Sequence, residues 1–349
     1  MKRSILHTIA ATVALCTLQL GVNAQDIHYS MFNETPVMLN PARAGVPFDA
    51  RVILNYKNQW QSVASPYQTM AFSGDMTIGK KKNKKTYLGL GLNVFNDKAG
   101  DVGMKTTQVG LSLSGIMVPN DNNKISLGLM GGYLMRGLAG TNQQWGEQYD
   151  GTSYNASLPT GETNTFQNFG VPDAGVGLNW YYGKGDKYMT ANDGVKLDFG
   201  VAMFHPHAPK YSFYGDASEK IYPKLVAHGW ASIGTGNSNL CIEPSMLFVM
   251  QGSQKEITPG VNLKYLLVEG SHYTGRKKAS ALSLGAYYRS ADAFILTTMF
   301  EYSSYAAGFS YDLNTSSLKA ASHARGGMEI FLRFVFPNPF GGEGSKSMI

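Results

Sequence analysis

The stretch Tyr87-Leu88-Gly89-Leu90-Gly91-Leu92-Asn93-Val94-Phe95 decides the fold. Leu88, Leu90, Leu92 and Val94 point one way, while Gly89, Gly91 and Asn93 point the other. A period of two is that of a β-strand, whose successive side chains leave opposite faces. The alternation recurs in Val109-Leu111-Leu113 against Gly110-Ser112-Ser114, and in Met328-Ile330-Leu332-Phe334-Phe336 against Glu329 and Arg333. One face is lipid-like and the other is wet. From about Arg51 to Phe336 such segments keep restarting, each closed by a polar or glycine-rich turn. A soluble sandwich alternates too, so export, composition and loop lengths must separate the two.

Export is signalled by residues 1–24: a basic start (Lys2, Arg3), an apolar run from about Ile9 to Leu20 and the small-residue end Val22-Asn23-Ala24. These describe a secretory signal peptide, with the cut expected after Ala24. No later segment offers the roughly 18 consecutive apolar residues of a spanning helix. Cys16 is followed by Thr17 and lies away from the cleavage boundary, which argues against a lipoprotein. With Cys16 removed only Cys241 remains, so an internal disulfide is excluded and the fold rests on its sheet.

Charged residues make up 15% of the chain and aromatics 12%, with 40 glycines and 20 tyrosines. The mean hydropathy is nevertheless slightly negative. Alternating lipid-facing and lumen-facing residues produce that average. Tyrosines gather near expected strand ends, as in Trp180-Tyr181-Tyr182, Tyr287-Tyr288 and Tyr302 with Tyr305, where an amphipathic ring sits at headgroup level. The formal charge of +6 falls to +4 once Lys2 and Arg3 leave with the signal.

The reading is an all-β, transmembrane, antiparallel up-and-down β-barrel of about 14 strands with an irregular N-terminal segment. Strands are expected at 50–58, 66–78, 86–97, 104–117, 124–138, 172–183, 194–205, 223–235, 239–251, 256–267, 279–289, 293–303, 305–313 and 326–336. With the first strand running outward, the two longest connections, about 138–171 and 206–222, both fall outside the cell, where such barrels keep their long loops. Short periplasmic turns include Pro119-Asn120-Asp121-Asn122 and Gly236-Asn237-Ser238. No linker divides 50–336, which is read as one domain. Residues 25–49, with Pro36, Pro41 and Pro47, are expected either to plug the lumen or to lie beneath the barrel. Residues 337–349 form a glycine-rich tail whose Pro337-Asn338-Pro339 stops the last strand.

Chemistry-bearing constellations are nearly absent. His205-Pro206-His207 lacks a third ligand at a usual metal spacing and reads as ordinary loop histidines. Gly89-Leu90-Gly91 lacks the third glycine and following helix of a dinucleotide fingerprint. No Gly-x-Ser-x-Gly elbow or His-Glu-x-x-His occurs, so no catalytic residue, cofactor or metal is expected. Lys80, Lys81, Lys82, Lys84 and Lys85 crowd one expected periplasmic turn, and Arg276, Lys277 and Lys278 another. They read first as solvated turns that stop a strand sliding into the bilayer, and second as a basic rim for anionic lipid or an acidic partner. Nucleic acid is not an expected partner, because no aromatic-basic platform is present.

Several stretches resemble one family. Gln25-Asp26-Ile27-His28-Tyr29-Ser30-Met31-Phe32, with Leu39-Asn40-Pro41-Ala42-Arg43-Ala44-Gly45, is similar to the N-terminal pattern of the PorP/SprF-like outer-membrane proteins of type IX secretion in Bacteroidetes. Arg51 with Tyr56-Lys57-Asn58-Gln59-Trp60 resembles the family's first strand, although arginine commonly stands where Lys57 is. Tyr67-Gln68-Thr69, Ser73-Gly74-Asp75, Asn96-Asp97-Lys98-Ala99-Gly100, Tyr311-Asp312-Leu313-Asn314 and Gly326-Gly327-Met328-Glu329 continue the match, while 141–169 departs. The resemblance implies a non-enzymatic outer-membrane barrel of type IX secretion or gliding motility. Such a barrel is embedded in outer-membrane lipid and works with a large secreted surface protein, with periplasmic machine components, or with both.

Family-motif and partner-contact candidates are therefore Asn40, Pro41, Tyr56, Gln59, Trp60, Asp75, Trp145, Tyr149, Tyr311 and Asp312. Asn40-Pro41 is a turn-forming pair. Tyr56 and Trp60 suit a strand-end anchor or a contact surface, and Asp75 and Asp312 suit lumenal donors such as Arg51 or Arg289. Trp145, Tyr149, Tyr154 and Phe166 supply aromatics to the longest outer loop, where residue choice is free. A diffusion channel is the second reading, since about fourteen strands can enclose a watery lumen. A lipid hydrolase is a third, with no positive signal.

Overall fold

In the computed structural model the alternating segments become fourteen antiparallel strands that close on themselves. Residues 26–336 are described, apart from 62–64, 82–83, 101–102, 139–143, 162–167, 186–191, 214–218, 237, 269–277 and 317–318. The expected signal cut, the tail 337–349, Phe166, Lys82, Arg276 and Lys277 lie outside the described residues. The strands are β1 (Ala50–Gln59), β2 (Tyr67–Ile78), β3 (Thr86–Ala99), β4 (Met104–Asn120), β5 (Asn123–Leu138), β6 (Phe169–Lys184), β7 (Val195–Phe204), β8 (Lys224–Gly234), β9 (Leu240–Gln251), β10 (Gln254–Val268), β11 (Ser280–Arg289), β12 (Ala293–Tyr302), β13 (Tyr305–Asn314) and β14 (Arg325–Phe336). Each pairs with its sequence neighbours, and β1 seals the cylinder against β14 from Ala50 with Phe336 to Gln59 with Gly327. Closure leaves no open edge, the condition for a sheet to stand in hydrocarbon. No helix among the described residues is long and apolar enough to cross a membrane.

Period-two patterning fixes the faces. Leu88, Leu90, Leu111, Leu113, Leu127, Leu129, Leu284 and Leu332 are exposed on the outer wall. Asn55, Ser73, Asn93, Ser114, Asn179, Ser310 and Glu329 are buried on the inner one. An apolar outside around a polar inside is the inverse of a soluble protein and matches a lipid-embedded barrel. The rule also corrects the tyrosine reading. Trp180, Tyr288, Tyr302 and Tyr305 are exposed, whereas their neighbours Tyr181 and Tyr287 are buried in the lumen, because adjacent strand residues cannot share a face.

Ala50 and Phe336 meet at one rim, whose connections include 79–85, 121–122, 235–239 and 303–304. The opposite rim carries the two longest connections, 139–168 and 205–223. The first rim is therefore periplasmic and the second extracellular. The expected four-residue turn at Pro119 narrows to Asp121-Asn122, because β4 continues to Asn120 through a register shift beyond Met117. Pro119 sits in that irregularity, where a missing N–H costs no ladder bond. Asn120 Oδ1 then accepts from the backbone N–H groups of Asn122 and Asn123 at 3.2 and 3.0 Å.

Candidate functional site

The lumen is occupied by the chain's own residues 26–49, which form a strap running from the extracellular mouth to the periplasmic rim. Its middle is built by prolines. Pro36 opens the turn Pro36–Leu39, and Pro41 opens the 3-10 turn Pro41–Arg43. Proline fits a first helical position because that N–H has no helical partner. Asn40 stands between them in extended geometry, and its Oδ1 accepts from the Ala42 N–H at 2.9 Å. Its Nδ2 donates to the β6 and β7 carbonyls of Leu178 at 3.0 Å and Val201 at 3.3 Å, so one fully buried amide joins strap to wall. Ser126 and Ser114 donate from the wall to the carbonyls of Ala42 at 2.6 Å and Ala44 at 2.7 Å.

Glycine makes the close approach possible. A Cβ on Gly128 would overlap the backbone of Pro41 and Ala42, and one on Gly177 would overlap the Asn40 side chain. Gly89 faces the Ala44 carbonyl in the same way. The small inward positions of β3, β5 and β6 are thus a flat seat for residues 40–44. Elsewhere the strap fills the lumen with apolar groups: Phe32 and Leu39 are buried with Met130, Val226, Leu247 and Ile295. Beside it remains a cavity of about 70 Å³, lined by Ile27, Phe32, Leu39, Met130 and Val249 among others, with room for a few waters.

Ion pairs hold the strap along its length. At the extracellular mouth Asp26 Oδ2 lies 3.0 Å from His205 Nε2 and 3.4 Å from Lys224 Nζ, and Gln251 Oε1 accepts from the Asp26 N–H at 2.9 Å. Below it, Arg289 donates to the Ser30 hydroxyl at 2.9 Å and to Asp312 at 3.0 Å, and Ser30 Oγ donates to the same Asp312 carboxylate at 2.8 Å. Arg333 donates to both oxygens of Glu34 at 2.7 and 2.9 Å, and Arg43 reaches Asp198 at 2.9 Å. Near the periplasmic rim Arg51 grips Asp75 through two bonds of 2.8 and 3.1 Å, while Asp75 accepts from the Gly45 N–H at 2.9 Å. Asp49 and Lys80 pair at the base.

His205 is the best-defined titratable group outside the strands. Its Nδ1 faces Asp173 at 2.6 Å and its Nε2 faces Asp26, so the ring lies between two carboxylates. Burial pulls its pKa down, but hydrogen bonds to Asp173 and Asp26 and their charges outweigh that and raise it to about 9. Asp26 shows the mirror case: burial pushes its carboxyl up, and Lys224 with His205 holds it well below the usual range. His207 turns away and meets the Pro172 carbonyl at 3.0 Å. No metal-holding group of His, Cys, Asp and Glu occurs among the described residues.

The ten sequence candidates fall in separate places. Asn40, Pro41, Asp75 and Asp312 are buried at the strap–wall contact. Tyr56 and Tyr311 are half-buried at outward positions of β1 and β13. Gln59 ends β1, and Trp60 follows it with φ 58°, its N–H donating to Gly326 O at 2.8 Å and its ring edge-on to Tyr67 at 4.9 Å. Trp145 and Tyr149 lie in the long outer loop, where Tyr149 is 60% exposed and bridges to Tyr154. The second long loop folds back so that Tyr211 and Phe213 meet Phe169 at 5.1 and 5.0 Å. Sequence reasoning missed Glu34 with Arg333, Arg43 with Asp198, and the His205 latch. Their signal was a charge at an inward position of a strand or in the strap.

A model of the family described as "Type IX secretion system membrane protein PorP/SprF" matches residues 21–334. No curated relative matches. Among solved structures the chain is similar to the toluene transporter TbuX of Ralstonia pickettii, at 10% identity and TM-score 0.45, covering 87% of this chain and 94% of that one. It is also similar to BamA from Haemophilus ducreyi lacking POTRA domains 1–3, at 8% identity and TM-score 0.42, with 83% and 70% covered. The CymD monoaromatic hydrocarbon channel gives 11% identity and TM-score 0.41 over 87% and 93%.

Proposed function

This chain belongs to the PorP/SprF family of type IX secretion system membrane proteins, and on that premise we propose that it is a non-enzymatic outer-membrane accessory that docks, guides or anchors a secreted surface protein. The observation that carries the reading is the occupied lumen. Positions that would line a conducting pore are spent on the strap: Arg289 and Asp312 on Ser30, Arg333 on Glu34, and Asp198 on Arg43. What is left for a partner is the rims. The extracellular rim has the longer loops and presents Tyr149 and Tyr154, at 60% and 42% exposure, as aromatic contacts. Aromatic side chains of this kind dominate interface energies. The exposed Lys81, Lys84 and Lys85 offer the periplasmic rim to anionic lipid or to acidic components of the machine. In this reading the signal peptide leaves after Ala24, 25–49 is the N-terminal segment whose residues 26–49 make the strap, and 50–336 is the barrel.

The test is a mild-detergent pull-down of the tagged protein from its native outer membrane with mass spectrometry of what stays bound. A large exported surface protein is expected, and its recovery should fall at least about tenfold in a Trp145→Ala, Tyr149→Ala double variant, as hot-spot truncation predicts. Periplasmic machine components in its place would move the docking face to the other rim. A barrel recovered alone would favour the channel reading.

A further inference from the structure

The direction of the strap carries an inference that does not depend on the partner. Asp26 is held by His205, Lys224 and Gln251, which sit at the extracellular ends of β7, β8 and β9. Glu34 meets Arg333, in the periplasmic half of β14, and Gly45 meets Asp75 near the periplasmic end of β2. Asp49 meets Lys80 in the periplasmic turn, and β1 starts there at Ala50. The chain therefore descends the lumen from outside to inside before it enters the wall. We infer that the processed N-terminus stands free at the extracellular mouth.

Lengths show that this placement needs a free N-terminus. A leader still held in the inner membrane fixes Ala24 at that membrane's periplasmic face, and two further residues reach at most about 7 Å. Asp26 instead lies at the far side of a second membrane whose apolar band alone is about 25 Å tall. An uncleaved chain cannot seat Asp26 on His205 and Lys224. The free end also emerges on the rim that carries the loops 139–168 and 205–223, so it is part of the surface offered outside the cell.

Single-cysteine labelling on whole cells tests this. In a Cys241→Ser background, Gln25→Cys is compared with Lys84→Cys in the periplasmic turn, using a membrane-impermeant maleimide and counting only the compact, heat-modifiable barrel. Position 25 should label on intact cells at least about tenfold more than position 84, which should label only after permeabilisation. Label at 25 only after permeabilisation, or only after unfolding, overturns the inference. So does a folded chain whose processed N-terminus, read by mass spectrometry, lies beyond Asp26. A cysteine inserted between Gln25 and Asp26 gives the same reading should the substitution impair assembly.

Discussion

Gly128 shows how one residue decides whether the strap can lie where it does. Gly128→Leu drives a side chain into Pro41 and Ala42, and overpacking of this sort costs roughly 1–3 kcal/mol. The variant should still close, because its outward neighbours Leu127 and Leu129 are unchanged, but its urea midpoint should fall and a protease should cut near residue 40. Asp75→Ala is expected to be worse. It strands the buried Arg51 guanidinium and the Gly45 N–H, and removing one partner of such a pair costs about 3–5 kcal/mol, read as the same midpoint. His205 makes the mouth contact pH-dependent. Its pKa is raised from 6.5 to about 9, so its contribution is complete below about pH 6.5 and is lost as the pH climbs through about 9. Asp26 is depressed, so its contribution is present above its ordinary 3.8 and lost only in stronger acid. Asp173 and Lys224 face the same pair. A nitroxide at position 25 should therefore gain mobility between pH 7 and pH 10 and stay restrained between pH 5 and pH 7. A mobility unchanged through pH 10 would sink the latch.

At the level of the element, the strands were legible because a wall between lipid and lumen enforces a period of two over ten or more residues. In β4, Val109, Leu111 and Leu113 must meet hydrocarbon while Ser112 and Ser114 face the lumen, where Ser114 meets the strap at Ala44. That constraint places strand ends to within three residues, as in 172–183 against Phe169–Lys184. It fails where local chemistry overrides it, as at Pro119, which reads as a turn but fits a bulge. The strap was less legible. Its three prolines excluded a strand, yet its path depends on pairing with residues as much as 299 positions away, as Arg333 with Glu34 shows, and no local pattern records that. The motif around Asn40-Pro41 was visible, but not that it would be a buried joint. The outward face predicts a depth profile. Leu111→Arg, near the middle of β4, should destabilise the barrel in lipid vesicles by about 2–4 kcal/mol, and Met117→Arg, near the rim, by about 0–1 kcal/mol. Equal costs at the two depths would mean that this face does not meet a bilayer.

For the whole molecule the decisive relation is between the cylinder and what fills it. A closed wall of fourteen strands encloses enough space for water to pass unless something occupies it. The strap occupies it with Phe32, Val37 and Leu39, and with ion pairs that neutralise the wall at several heights. Wall and strap are therefore packed together through shared charges: without the strap Asp198 loses Arg43, while Arg333 keeps Glu301 and Asp312 keeps Arg289. Deleting residues 27–48 removes Glu34 and Arg43 and the seat on Gly128 and Gly177, and leaves Arg333, Asp198 and Asp312 facing an empty lumen. Those groups would then be hydrated by entering water, which spares the wall much of the cost of unpaired charge in a dry interior. The expected outcome is a barrel that still forms and melts lower. In a planar bilayer it should open a stable ohmic pore, while the intact protein passes little or no current. Should the intact protein conduct as well as the deletion, the lumen would be an open channel with a peptide along its side, and docking would lose the observation that supports it. Should neither conduct, the inner side chains alone would close the lumen, and the strap would serve to hold the extracellular and periplasmic rims in register.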